Sequence, residues 1–212
     1  MRLVKYQIIS VVFILLIVLI IGARAGEQVI TRTVAGIELG MSLQEVGKVF
    51  HMEEKEDAVV AIMRKFGFGD PEKQSKINKK LGKRVFAAKG TFPNEVNSIN
   101  VLFRNDVLYQ IALNYGKEYV QKVDWDLFTL PAINKYGHPI VSNNIPVLAS
   151  FTYQWADGQT KLEIQKSGTL SDDKNKFTTP NYNVFYTDVV TYIAMEKDEK
   201  NMQEESTAIP NF

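Results

Sequence analysis

The chain has 212 residues, with 25 Lys and Arg against 24 Asp and Glu, so its overall formal charge of +1 recommends neither nucleic acid nor an anionic membrane as a partner. It has no cysteine, which removes thiol nucleophiles, disulfides, thiolate zinc sites and iron–sulfur clusters together.

The first 25 residues read as a targeting segment. Arg2 and Lys5 precede Ile8–Ala23, a run of 16 residues whose only polar member is Ser10, and Ala23-Arg24-Ala25 follows. A basic start, an apolar run and small residues two apart describe a secretory signal peptide cut after Ala25. The alternative is an uncleaved anchor, since a spanning helix needs about 20 apolar residues and signal cores run to about 15. Either reading exports the rest of the chain, to the periplasm or to the outer side of the inner membrane. Without residues 1–25 the chain keeps 22 basic and 24 acidic residues, a net charge of −2.

After an extended lead-in, "GIELGMSLQEVGKVF" (36–50) carries a Ser42/Glu45 capping box, with Val46, Val49 and Phe50 at helical spacing. "EDAVVAIMRKF" is open between helix and strand; Ala58, Val59, Ile62, Met63 and Phe66 fit a helical stripe. Asp70 before Pro71 predicts a helix start and Gly82 its end, with only Ile77 and Leu81 apolar between them. Residues 84–89 are a candidate strand. Ile99, Val101 and Phe103, then Val107, Tyr109, Ile111 and Leu113, alternate around Asn105-Asp106 and predict a hairpin with one buried face.

A second cycle follows. Trp125, Phe128, Ile133 and Tyr136 predict a helix ending at Gly137, with Pro131 breaking it or opening its last turns. Phe151, Tyr153 and Trp155 alternate up to Asp157-Gly158, a strong hairpin signal, and Leu162 and Ile164 alternate after it. A polar loop (169–183), a strand and a helix running into a charged tail complete the chain, with disorder expected from about Ser206. The pattern predicts an α+β protein: one continuous antiparallel sheet from two degenerate helix-plus-hairpin units, 26–118 and 119–195, with helices on one face and a tail over 196–212.

"GIELGMSLQEVGKVF" is similar to the opening of the small outer-membrane assembly lipoproteins of the SmpA/OmlA kind, which begin with a Gly-Met-Ser/Thr step into a capped helix. "INKYGHP…FTYQWADGQTKLEIQ…VFYTD" resembles the later unit of β-lactamase-inhibitor-protein-like (BLIP-like) chains, where a helix ends in Tyr-Gly-x-Pro and a Trp-containing strand turns into the next. Two such units in tandem would span about residues 36–195. The resemblance implies a small protein-binding or assembly module of the bacterial envelope, without catalysis or cofactor. The chain departs from it in lacking the lipid-carrying cysteine and in a longer insertion.

That insertion is the main charge bias. Arg64, Lys65, Lys73, Lys76, Lys79, Lys80, Lys83, Arg84 and Lys89 stand against Asp70 and Glu72, with Phe66 and Phe68 at the start. It reads either as a solvated surface helix or as a site for anionic lipid or glycolipid. No nucleic-acid partner is expected. His51 and His138 lack a metal-ligand spacing and read as loop histidines. Asp124 and Asp126, flanking Trp125, read as an acidic helix start rather than the paired acids of a hydrolase.

Overall fold

The alternating runs pair into one eight-stranded antiparallel sheet. The computed structural model describes residues 29–92, 95–144, 149–168 and 180–207. The targeting segment, most of the polar loop and the tail beyond Thr207 therefore lie outside the described residues. The order is β1 (Thr33–Val34), β2 (Ile37–Glu38), α1 (Leu43–Val49), β3 (His51–Lys55), α2 (Ala58–Phe66), α3 (Pro71–Lys80), β4 (Lys83–Lys89), β5 (Val96–Arg104) and β6 (Val107–Tyr115). Then come α4 (Lys117–Val120), α5 (Trp125–Tyr136), β7 (Ile140–Asn144), β8 (Ala149–Ala156), β9 (Thr160–Gly168), β10 (Asn181–Asp188) and α6 (Val189–Thr207). Strand order is β3-β4-β5-β6-β10-β9-β8-β7. Strands β3–β6 are neighbours in chain order, as are β7–β10. The two sets join through their last strands, from Tyr115↔Tyr182 to Gln110↔Thr187.

Local chemistry explains the element ends. Ser42 Oγ accepts from the Glu45 N–H (3.3 Å) and the Glu45 carboxylate accepts from the Ser42 N–H (2.8 Å), closing the predicted capping box. Asp70 Oδ1 accepts from the Lys73 N–H at 2.9 Å, with Pro71 opening α3. Asp57, which the sequence pattern did not single out, caps α2 by accepting from Val59 and Val60. Asn105 and Asp106 both adopt left-handed backbone (φ 49° and 62°), the two-residue turn whose twist suits a hairpin. The helix α5 runs through Pro131 without breaking. Leu127, whose carbonyl loses its helical donor there, is 61% exposed, so water can satisfy that carbonyl, while Phe128, Ala132 and Ile133 hold the other side against the core.

One sheet face carries the main core. Ile99, Val101 and Phe103 from β5, Ile111 and Leu113 from β6, Val184 from β10 and Leu162 and Ile164 from β9 form a single buried cluster with Ile30, Ile37, Leu39 and Val46. The helix α5 lays Trp125 and Phe128 on this face, both stacked on Tyr182. The α+β class and the continuous sheet match the sequence pattern, but helices occupy both faces rather than one. On the opposite face α2, α3 and α6 bury Val60, Ile77, Leu81 and Met195. Lys83 there pairs with Asp57 (2.8 Å) and Arg104 with Asp198 (2.5 Å). The cause is that β4–β6 are apolar on this side too, at Val85 and Leu102, and a bulge beside Phe103 turns the fully buried Tyr109 toward it. Both outer strands, β3 and β7, also escaped the pattern. The β3 segment "HMEEK" is exposed except at Met52 and has no apolar alternation.

The lead-in ties the halves together. Asp157, in the β8–β9 turn, accepts from the N–H groups of Ile30 (2.6 Å), Thr160 (2.7 Å) and Gln159 (3.0 Å). Arg32 reaches Asp188 at 2.6 Å. Burial pushes the Asp157 carboxyl up, but those three hydrogen bonds and the Arg32 charge outweigh it and hold the group below the usual carboxylate range.

Two outcomes check this account. Gly82 has φ +63°, and a Cβ there would lie 2.0 Å from Asn105 Oδ1. Gly82→Ala should therefore destabilise by more than about 1 kcal/mol in urea unfolding. Asp157→Ala should cost about 2 kcal/mol, the scale of hydrogen bonds to a charged group. Because the folded carboxyl is depressed, its contribution is complete above the unfolded value of about 3.9 and is lost as pH falls through the lower folded value. The variant should accordingly show a shallower loss of stability below about pH 4 than the parent.

Candidate functional site

The basic insertion folds as the α2–α3 pair and strand β4, and its charges separate into two groups. In one group the cations are spent on the fold. Arg64 pairs with Glu56 and with Glu72. Lys83 pairs with Asp57, both side chains mostly buried. Arg84 bridges Glu54 (2.8 Å) and Asp106 (3.1 Å). Lys89 meets Glu53 at 2.5 Å, and hydrogen bonds from Lys55 and Lys89 hold the Glu53 carboxyl at about 2. In the other group, Lys73, Lys76, Lys79 and Lys80 line the outer side of α3, and Lys65 lies over the Phe66 ring at 5.4 Å. These five make no ion pair with a described residue. The acidic tail helix does approach the insertion, but Glu199 accepts from Gln74 at 2.7 Å and Asp198 takes Arg104, leaving those lysines alone.

The remaining candidates stay apart. His51 is exposed on the outer strand β3, and His138 is exposed after α5. Asp124 is the N-cap of α5, its Oδ1 accepting from the Leu127 N–H at 2.8 Å, and Asp126 is exposed in the first turn. No group of three or more His, Asp or Glu suited to a metal ion occurs among the described residues. None of the described helices is long and apolar enough to cross a membrane.

Two surfaces that the sequence did not point to emerge from long-range placement. The first is a cleft of about 470 Å³ between α5 and the core face of the sheet, floored by Leu113, Leu162 and Ile164 and rimmed by Tyr115, Tyr119 and Tyr136. Burial raises the Tyr186 phenol beside it to about 12, so it stays protonated at neutral pH. The second lies on the opposite face, where α2 and α3 do not reach. Asn114 donates to Asn183 (2.7 Å), Asn183 to Ser167 (3.1 Å) and Gln154 to Glu163 (2.7 Å), all half-buried. Half-buried Phe185 sits among them, between Ala112 and Glu163 in register. The amide and hydroxyl strip thus crosses the β6–β10 joint without a break. It ends in a depression of about 510 Å³ lined by Asn97, Asn114 and Asn181 together with the charged Glu95, Lys117 and Glu118. Polar positions alternating along each strand were the available signal, but only the register aligns them.

The division of the cations is open to a stability comparison. Asp57 combines a helix cap with a mostly buried ion pair, so Asp57→Ala should destabilise by about 2–3 kcal/mol. Lys76→Ala should stay within about 0.5 kcal/mol of the parent, because an exposed, unpaired lysine contributes little to folding. Thermal or denaturant unfolding of the two variants reads both values.

Comparison with protein-family models, with curated proteins and with solved structures finds no match for this chain.

Proposed function

We propose that the chain is a non-catalytic binding module of the bacterial envelope, exported and acting on another protein. The observation that carries this reading is the amide-rich strip across the joint: Asn114, Asn183, Ser167 and Gln165 near Phe185, with Glu163 as the charged neighbour of Phe185 in register. Protein interfaces place an aromatic amid neutral hydrogen-bonding groups and exclude charge from their centre. Here the one internal charge pair nearby, Lys161 with Glu163 at 2.9 Å, is already neutralised. The strip draws on both halves of the chain, so its shape depends on the complete fold.

The BLIP-like resemblance suggests this role, and two parts of the stretch that carries it meet in one contact. The Trp155 indole donates to the Gly137 carbonyl at 2.9 Å, fastening the Trp-containing strand to the Tyr136-Gly137-His138-Pro139 helix end.

Photo-crosslinking in the native envelope tests the reading. A benzophenone side chain at Gln165 or Phe185 should yield one defined protein adduct, which Asn183→Arg abolishes by placing a charge in the strip. The same probe at Lys48, on α1 of the other face, should yield none. No adduct from either strip position, or equal adducts from Lys48, would contradict the proposal.

A further inference from the structure

The helical pair carries a feature that protein binding at the strip leaves unused. The sequence stripe of Val59, Ile62 and Phe66 looks like a core-facing stripe, yet it points outward. Val59 is 50% exposed, Ile62 39% and Phe66 67%, with Phe68 in the following turn at 52%. In α2 the buried residue is Val60, well around the helix from that stripe. In α3 the buried residues are Ile77 and Asn78, while Lys73, Lys76 and Lys80 recur at i, i+3 and i+7 on the far side, with Lys79 beside them. Both helices lie on the same face of the sheet, and neither the apolar stripe nor the lysine ridge is turned toward it.

We propose that this surface docks on an anionic lipid bilayer, with Phe66 and Phe68 entering the headgroup boundary and the lysines meeting lipid phosphates. The argument is charge complementarity. Residues 58–82 hold six cations against Asp70 and Glu72, a net charge of +4, of which Arg64 is offset further by Glu56 just before the segment. The two acids do not quench the lysine ridge: Glu72 is taken by Arg64, and Asp70 caps α3. A protein partner fits less well, because lysine is depleted at protein interfaces. Exposed phenylalanines with lysines nearby have the composition of membrane-surface segments; here Phe66 ends α2, Phe68 follows it, and the lysine ridge lies on α3. Their long methylene stems lie along apolar surface while the ammonium groups remain in the headgroup layer.

The test reads the surface locally, because the apolar run Ile8–Ala23 enters bilayers by itself and would dominate co-sedimentation. The chain has no cysteine, so single labels are unambiguous. Full-length Phe66→Cys, Phe68→Cys and, as a control, Leu127→Cys carry an environment-sensitive fluorophore. Each is placed with vesicles of phosphatidylcholine alone or mixed with phosphatidylglycerol. The expected result is a blue-shifted, several-fold brighter signal at positions 66 and 68 in the anionic vesicles, absent at position 127 and weakened by salt. Each lysine near an anionic surface contributes about fivefold in partitioning. Changing Lys73, Lys76, Lys79 and Lys80 together to Glu should therefore remove the signal, with an unchanged circular dichroism spectrum. No response at 66 and 68, an equal response in neutral vesicles or at 127, or a response that survives the lysine reversal would overturn the proposal. A response to added unlabelled protein without lipid would assign the surface to a second copy and overturn it as well.

Discussion

The pairing of β6 with β10 is the constraint on which the rest of the structure depends. Each half of the chain makes a four-stranded sheet with one of its two edges at its last strand. Antiparallel contact from Tyr115↔Tyr182 to Gln110↔Thr187 covers those two last-strand edges at once and leaves β3 and β7 outermost. It also fuses the apolar faces of the halves, so that Ile99 and Val101 share a core with Leu162 and Ile164. The lead-in then crosses from the first half to the second, where Asp157 collects its Ile30 N–H and Arg32 reaches Asp188. With the joint in place, the amide strip on the other face becomes continuous. Without it, Asn114 and Asn183 would belong to different surfaces.

The two sheet faces divide the labour. The core face is closed by α1, α5 and the lead-in and is rich in stacked aromatics. The opposite face is covered over β4–β6 by α2 and α3, and left half-open over β10 and β9. Charge follows the same division. Arginines and inner lysines of the insertion are absorbed by Glu54, Glu56, Asp57, Glu72 and Asp106: Lys83–Asp57 ties α2 to the sheet, Arg64 joins α2 to α3, and Arg84 joins β4 to β3 and the β5–β6 turn. The outer lysines of α3 carry no such task. A composition count treats all nine cations alike; the structure separates those that hold the fold from those that face solvent.

Much of the fold was legible in the sequence because its signals are local. Ser42 with Glu45, Asp70 with Pro71, Asn105 with Asp106 and Asp157 with Gly158 act within four residues, and each sits at the element end it indicates. What remained hidden acts over distance. The outer strands β3 and β7, with the sequences HMEEK and IVSNN, have no apolar alternation to display. Periodicity marked Ala58, Val59, Ile62, Met63 and Phe66 as one stripe but could not say that, apart from half-buried Met63, it faces water while Val60 is the buried residue of α2. Pro131 predicted a break or the opening of the last turns, and α5 runs through it from Trp125 to Tyr136. Ion pairs such as Arg84 with Glu54 join residues 30 apart, and the strip needs the register of several strands. The site was therefore less legible than the fold: its residues are ordinary in sequence and become a surface only in register.

The claim that the halves form one cooperative unit is tested most directly by native-state hydrogen exchange across a denaturant series. The account predicts that β6 and β10 amides exchange through global unfolding, with one free energy shared by both halves. Separate, lower-energy opening of β7–β10 while β3–β6 stay protected would contradict it, and with it the idea of a single surface crossing the joint.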